Sequence, residues 1–248
     1  MKAKQLKMRE GHGVQPLILM LGYLMAALWV NPAAAAGKAP YPIMARIGQY
    51  RMASEADEIA HARSAAPASI SDHAEIMVLG RHGYDVGVKG SNGFVCLVER
   101  SWAHKFDSAD FWNPKMRAPL CLNPAAMRSV ESAYLKRTEW VLSGMSRVEM
   151  RKRTLAAVAA KEITAPEPGA MSYMMSKDQA FPVSGPVGHQ VTNWYPHLMF
   201  YYPNTQLPKW GANLSGVPVF SNNAGPLYTI LLVLVPKWSD GTPSPASK

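Results

Sequence analysis

The chain has 248 residues, with 26 Lys and Arg against 17 Asp and Glu and two cysteines. That length carries a core without help from metals or many disulfides. The positive charge is moderate and spread along the chain, which argues for solubility and against a dedicated nucleic-acid site.

Lys2, Lys4, Lys7 and Arg9 precede an apolar run from Pro16 to Val30, which ends in Asn31-Pro32-Ala33-Ala34-Ala35-Ala36. Charged, apolar and small-residue regions in that order predict a secretory signal over residues 1–36, cleaved near Ala36. An uncleaved anchor is the competing reading, but the run has only about 15 residues where a spanning helix needs about 20. No later stretch is long enough to cross a bilayer, so no transmembrane segment is expected after cleavage. Losing the signal leaves 22 basic and 16 acidic residues, a charge of +6 instead of +9. Residues 37–248 then form a single domain with loose ends at about 37–44 and 239–248. Two cysteines in an exported chain predict one structural disulfide, Cys96 to Cys121. The spacing of a redox pair, Cys-x-x-Cys, is absent.

Ser54, with Asp57 three residues on, reads as the cap of a short Ala-rich helix stopped by Pro67. Ile76 to Leu79 is an apolar run that reads as the first strand, and Gly80-Arg81-His82-Gly83 turns it. Tyr84, Val86 and Val88 then alternate with Asp85, Gly87 and Lys89, the period of a strand with one buried face. Gly90-Ser91-Asn92-Gly93 carries the Asn-Gly signal of a two-residue hairpin, so Phe94 to Val98 is expected to run back beside it. These three strands predict an antiparallel meander.

From Arg100 to Pro119 no period is visible, but Trp102, Phe106, Phe111 and Trp112 crowd a loop that is expected to cover the core. Asn123 caps a helix with Pro124 in its first turn. Its apolar stripe is Met127, Val130, Tyr134 and Val141, and Gly144 stops it. Ser146 and Glu149 cap a second helix to about Lys161. Its basic run Arg147, Arg151, Lys152 and Arg153 is expected to be a solvated face. Strands follow at Ala170–Ser176, His197–Tyr202, Val217–Phe220 and Tyr228–Val235. The last is apolar at nearly every position and is expected to be central in the sheet. The fold class is α+β: a mainly antiparallel sheet of about five to seven strands, meander plus later strands, packed by the helical pair.

The segments Gly90-Ser91-Asn92-Gly93-Phe94-Val95-Cys96, Ala118-Pro119-Leu120-Cys121 and Pro196-His197-Leu198-Met199 resemble a group of uncharacterised exported bacterial proteins. The resemblance spans roughly residues 68 to 240 and is most specific in the Asn-Gly-aromatic-x-Cys element. It implies export and a shared fold, and it implies no activity and no catalytic residues.

Three functional classes stay open. The first is a non-enzymatic binding or envelope-associated module, periplasmic or secreted, that contacts an unknown ligand or partner through its aromatic loops, Trp102 to Trp112, Trp194-Tyr195 or Trp210. The second is a copper site of thioether and imidazole ligands, with His197, Met199, Met171 and Met175 as candidates. The third is a hydrolase-type enzyme using His82 or His197 as acid or base. Gly-x-Ser-x-Gly, Ser-x-x-Lys and His-Glu-x-x-His patterns, phosphate loops and zinc spacings are missing, and no cofactor is expected.

Overall fold

The computed structural model describes residues 41–185, 188–192, 195–204, 211–223 and 227–244. For 181–185, 188–192 and 223 it describes the backbone alone. The signal expected over 1–36 lies outside the described residues, as do Trp194 and Trp210.

The helices begin where side chains can take up free backbone N–H groups. Ser54 accepts from the Asp57 N–H at the start of α1, Glu55–Arg63. A short helix, α2, spans Ala68–Ser71. Asn123 accepts from Ala126 N–H at the start of α3, Pro124–Ala126, and Ser146 accepts from Glu149 N–H at the start of α5, Arg147–Ala159. Between α3 and α4, Ser132–Leu142, the helix widens into one π turn, Met127–Glu131. Hydroxyl groups support that turn: Ser129 Oγ donates to Ala125 O at 2.6 Å and Ser132 Oγ to Ser129 O at 3.0 Å.

Eight strands form one sheet in the order β2-β1-β3-β4-β5-β8-β10-β9. They are β1 Glu75–Leu79, β2 Tyr84–Val88, β3 Val95–Glu99, β4 Ala118–Leu122, β5 Met171–Met174, β8 His197–Pro203, β9 Val219–Asn223 and β10 Tyr228–Leu234. A separate hairpin pairs β6, Phe181–Gly185, with β7, Gly188–Thr192. The sheet is mainly antiparallel and the class α+β, as the periodicities predict.

The meander is corrected. β3 pairs with β1, in parallel, and not with β2. A type I′ turn needs positive φ at both Asn92 and Gly93, yet only Gly93 has it, at 78°. The loop instead folds under the start of β1: Ser91 N donates to His73 O at 2.8 Å and Asn92 Nδ2 to Ile70 O at 2.8 Å. Gly90 is needed there, since a Cβ would lie 2.1 Å from the Glu75 nitrogen. The chain thus crosses from the outer side of β1 to its inner side.

The most buried strands are β3 and β4, near the middle of the sheet, where eight consecutive-strand positions, Val95–Val98 and Ala118–Cys121, are all buried. Cys96 and Cys121 are directly opposite one another in these strands and form the disulfide. β10, expected to be central, lies one strand from the edge, and its buried positions alternate with partly exposed ones. Next to the ends, Tyr41 and Met44 pack against the core, and Ser239 N donates to Met175 O at 3.0 Å.

Strand parity divides the core in two. Cys96, Val98 and Cys121 face α1, with Ala62, Ala65 and Ala66. Val95, Leu97, Leu120 and Leu122 face the other way, in one cluster with Val130, Tyr134, Val141 and Met150. Trp102, Phe111 and Trp112 of the aromatic loop are buried in that second cluster, as expected of a core cover.

One buried cation ties these parts together. Arg100 is fully buried, its Nε donating to Tyr50 O at 2.6 Å, its Nη1 to Val98 O, and its Nη2 to Glu58 Oε1 at 2.8 Å. Glu58 Oε1 also accepts from Leu79 N–H at 3.1 Å. Breaking a buried pair leaves an uncompensated charge, which costs about 3–5 kcal/mol. Arg100→Met is therefore expected to lower the unfolding free energy by about that amount in chemical denaturation, and adding Glu58→Gln should restore part of it.

Candidate functional site

The second face of the sheet does not close fully against the helices. A cavity of about 930 Å³ lies between them. Its floor is built by alternate residues of four strands: Met174 of β5, His197, Met199 and Tyr201 of β8, Tyr228, Ile230 and Leu232 of β10, and Phe220 of β9. The registers require this grouping, because Met174 is opposite His197, Leu232 opposite Met199, Ile230 opposite Tyr201 and Leu232 opposite Phe220. The roof is Glu131 from the π turn, Tyr134 and Arg137 from α4, and residues of α5. Lys105, Asp107 and Arg151 are exposed and mark the opening.

Two carboxyl groups enter this cavity. Glu99 ends β3 in phase with Val95 and Leu97, so it continues the face that lines the cavity. Burial raises its pKa from 4.5 to about 7, with the Arg137 charge acting against the rise. Glu131 is only 1% exposed. Burial, and then the Glu99 charge, raise its pKa well above the usual carboxylate range. Among the described residues its Oε1 has no hydrogen-bond partner. The neighbouring cation is partly engaged by the loop: Arg137 Nη1 donates to Trp102 O at 2.8 Å and His104 O at 3.0 Å, and its guanidinium stacks 4.3 Å from the Phe106 ring centre, while its Nε has no hydrogen-bond partner among the described residues.

Aromatic hydroxyls complete the polar lining. Tyr134 Oη accepts from Arg100 N–H at 2.7 Å. The Tyr201 hydroxyl is 2.7 Å from Ser172 Oγ, and its ring meets Tyr228 edge to face at 5.5 Å. Burial raises the pKa of all three tyrosines, so they remain neutral.

His197 is 1% exposed, and burial lowers its pKa to about 4, against the opposing effect of the Tyr195 carbonyl. Nδ1 lies 2.8 Å from Tyr195 O. A carbonyl only accepts, so Nδ1 carries the proton and Nε2 is the basic nitrogen.

Of the copper candidates, the structure brings His197 and Met199 together on one face. Met171 is opposite Phe200 and lies on the other face. Met175 follows β5, with its N–H bonded to Ala65 O at 2.9 Å, and does not line the cavity. The methionine that joins His197 and Met199 is Met174, by register. Among the described residues no group of three His, Cys, Asp or Glu could hold a metal ion. His82 is exposed in the turn between β1 and β2 and does not line the cavity. A separate cleft of about 330 Å³ is lined by Asp57, His61, Ser64 and Asp178. No helix among the described residues is long and apolar enough to cross a membrane.

Glu99 and Glu131 belong to no sequence motif, although each leaves a trace in the pattern. Glu99 sits at i+2 from Leu97 on an apolar strand face. Glu131 sits four residues after Met127 and three before Tyr134, on the apolar stripe of its helix. A charge in phase with a buried face was the signal.

No protein-family model matches the chain, and searches of curated proteins and of solved structures return no match.

Ionisation of the buried acids is linked to stability. A carboxyl whose folded pKa is raised makes the fold hold more protons than the unfolded chain, so stability falls as pH rises from 4.5 toward about 7. Glu99→Gln removes that loss. The Tm of this variant minus that of the wild type should increase across the window and level off above it, in thermal scans at closely spaced pH. His197 acts in the opposite sense, losing stability as pH falls from 6.5 to about 4, and it cancels in this difference.

Proposed function

We propose that the chain is an exported, disulfide-bridged binding module that encloses a small molecule between its sheet and its helices. The observation that carries this reading is Glu131 Oε1, which is buried, has no partner among the described residues and lines a cavity of about 930 Å³. An isolated buried carboxyl costs stability without a partner, and cavities of about 300–1,000 Å³ lined by apolar and aromatic groups with a few polar ones suit small ligands. The π turn that presents Glu131 supports the same reading, since such turns recur at functional sites. Export is supported by the charged, apolar and Ala-rich sequence of residues 1–36 and by a cystine, which persists in oxidising compartments. Likeness to the exported bacterial group agrees with that location. The helical pair, α4 and α5, is read as the cover of the ligand chamber.

A neutral aromatic probe, 1-naphthalenemethanol, tests the chamber. It should bind saturably and raise Tm by about 5 °C or more at a hundredfold excess over Kd. Ala133→Trp, which places a large ring where a buried small side chain lines the cavity, should abolish the shift. An unchanged Tm in the wild type would remove the basis for this reading.

A second reading is favoured by one register. Met174, His197 and Met199 share the cavity floor, and Nδ1–H of His197 is held by a backbone carbonyl. That arrangement orients metal-binding imidazoles, and two thioethers with an imidazole suit Cu(I). Anaerobic Cu(I) competition against bicinchoninate should give one site, lost in Met174→Leu and His197→Asn and retained in Met171→Leu. Equal binding by all three variants would exclude it.

A further inference from the structure

The two buried acids are more specific than a cavity alone requires. Glu99 reaches the cavity from the end of β3 and Glu131 from the π turn, and both carboxyl groups line the same space. Among the described residues neither forms an ion pair. The groups facing them that titrate or carry charge are Tyr134 and Arg137 from α4, His197 and Tyr201 from β8, Tyr228 from β10 and His104 from the loop before β4. The tyrosines are neutral, and burial holds both His104 and His197 toward the neutral form. Arg137 is the single permanent cation in this inner group, and its Nη1 and ring stacking are directed at the loop.

Two carboxyl groups in one low-dielectric space resist ionising together, and the Arg137 charge offsets this only in part, so they retain a proton between them. What replaces that proton must carry a positive charge and several N–H donors, and must fit among aromatic rings. A small inorganic ion would leave the rings unused. The exposed charges of the lining, Lys105, Asp107 and Arg151, stand at the opening.

We infer that Glu99 and Glu131 together are the recognition point for a primary ammonium group on an otherwise aromatic or apolar ligand, seated against Tyr134, Tyr201 and Tyr228. The inference rests on the cavity being a ligand chamber. The ammonium donates to Oε1 of Glu131, which has no partner among the described residues, and to Glu99, and the ring faces of the tyrosines add cation–π attraction. Entry of the cation ionises the pair, and one proton leaves to solvent.

An isosteric pair of probes separates this inference from the chamber itself. 1-Naphthylmethylamine and 1-naphthalenemethanol differ only in ammonium against hydroxyl, and fluorescence or calorimetric titration of the full chain at pH 7 gives both affinities. The amine should bind at least about tenfold tighter, the worth of one charge-assisted hydrogen bond. Glu131→Gln and Glu99→Gln should each bring the amine-to-alcohol affinity ratio to within about twofold of one. In the wild type, amine affinity should rise between pH 6 and 8 while alcohol affinity stays level, and calorimetry in buffers of different ionisation enthalpy should show proton release. This comparison needs no variant to fold. If alcohol and amine bind equally in the wild type, with no pH dependence, the ammonium site is overturned and the chamber stands. If neither probe binds, both fall together.

Discussion

Arg100 is the constraint from which the other contacts follow. A guanidinium with no exposed surface must have its donors met, and here they are met by the Tyr50 and Val98 carbonyls and the Glu58 carboxylate. Those partners belong to the N-terminal segment, β3 and α1, so satisfying one side chain fixes three elements. Glu58 extends the network to β1 through Leu79 N–H. Tyr134 brings α4 to it, accepting from the Arg100 backbone N–H and lying 3.0 Å from the Tyr84 hydroxyl. Such a network favours one arrangement of the elements because every alternative strands a buried charge.

With those positions fixed, strand parity decides what each face of the sheet can do. Over β1, β3 and β4 one face is covered by α1 and the residues that follow it, with Ala62, Ala65 and Ala66 in one buried cluster with the disulfide. The opposite face carries larger and more polar residues and is roofed by helices held off it. Glu131 is brought to that space by the π turn, whose extra backbone width is supported by serine hydroxyls bonded to backbone carbonyls. The cavity is therefore a consequence of how the sheet is covered, and its chemistry a consequence of which residues fall in phase.

Features set by neighbouring residues were legible in the chain. Ser54, Asn123 and Ser146 cap their helices because a cap needs only a hydroxyl or amide within three residues of an N–H. The Cys96–Cys121 bridge followed from having two cysteines in a chain read as exported. The Asn-Gly signal misled for the same local reason: its preference for a tight reversal is weaker than the bonds that His73 and Ile70 offer Ser91 and Asn92. β4 escaped notice because Pro119 interrupts its pattern, yet it faces Val98 in the middle of the sheet. Strand period alone separates Met171 from Met174, but only the register of β5 against β8 shows that Met174, and not Met171, shares the face of His197 and Met199.

By itself the sequence determined the α+β class, most strand positions, the helix starts and the cystine, since each depends on period, caps or composition over a few residues. Strand order, the parallel pairing of β3 with β1, the Arg100 network and the meeting of Glu99 with Glu131 were decided only in three dimensions. Glu99 and Glu131 are far apart along the chain and joined by no motif. They meet because a strand end and a widened helical turn are set against one another by packing, and packing sums weak contacts over the whole core.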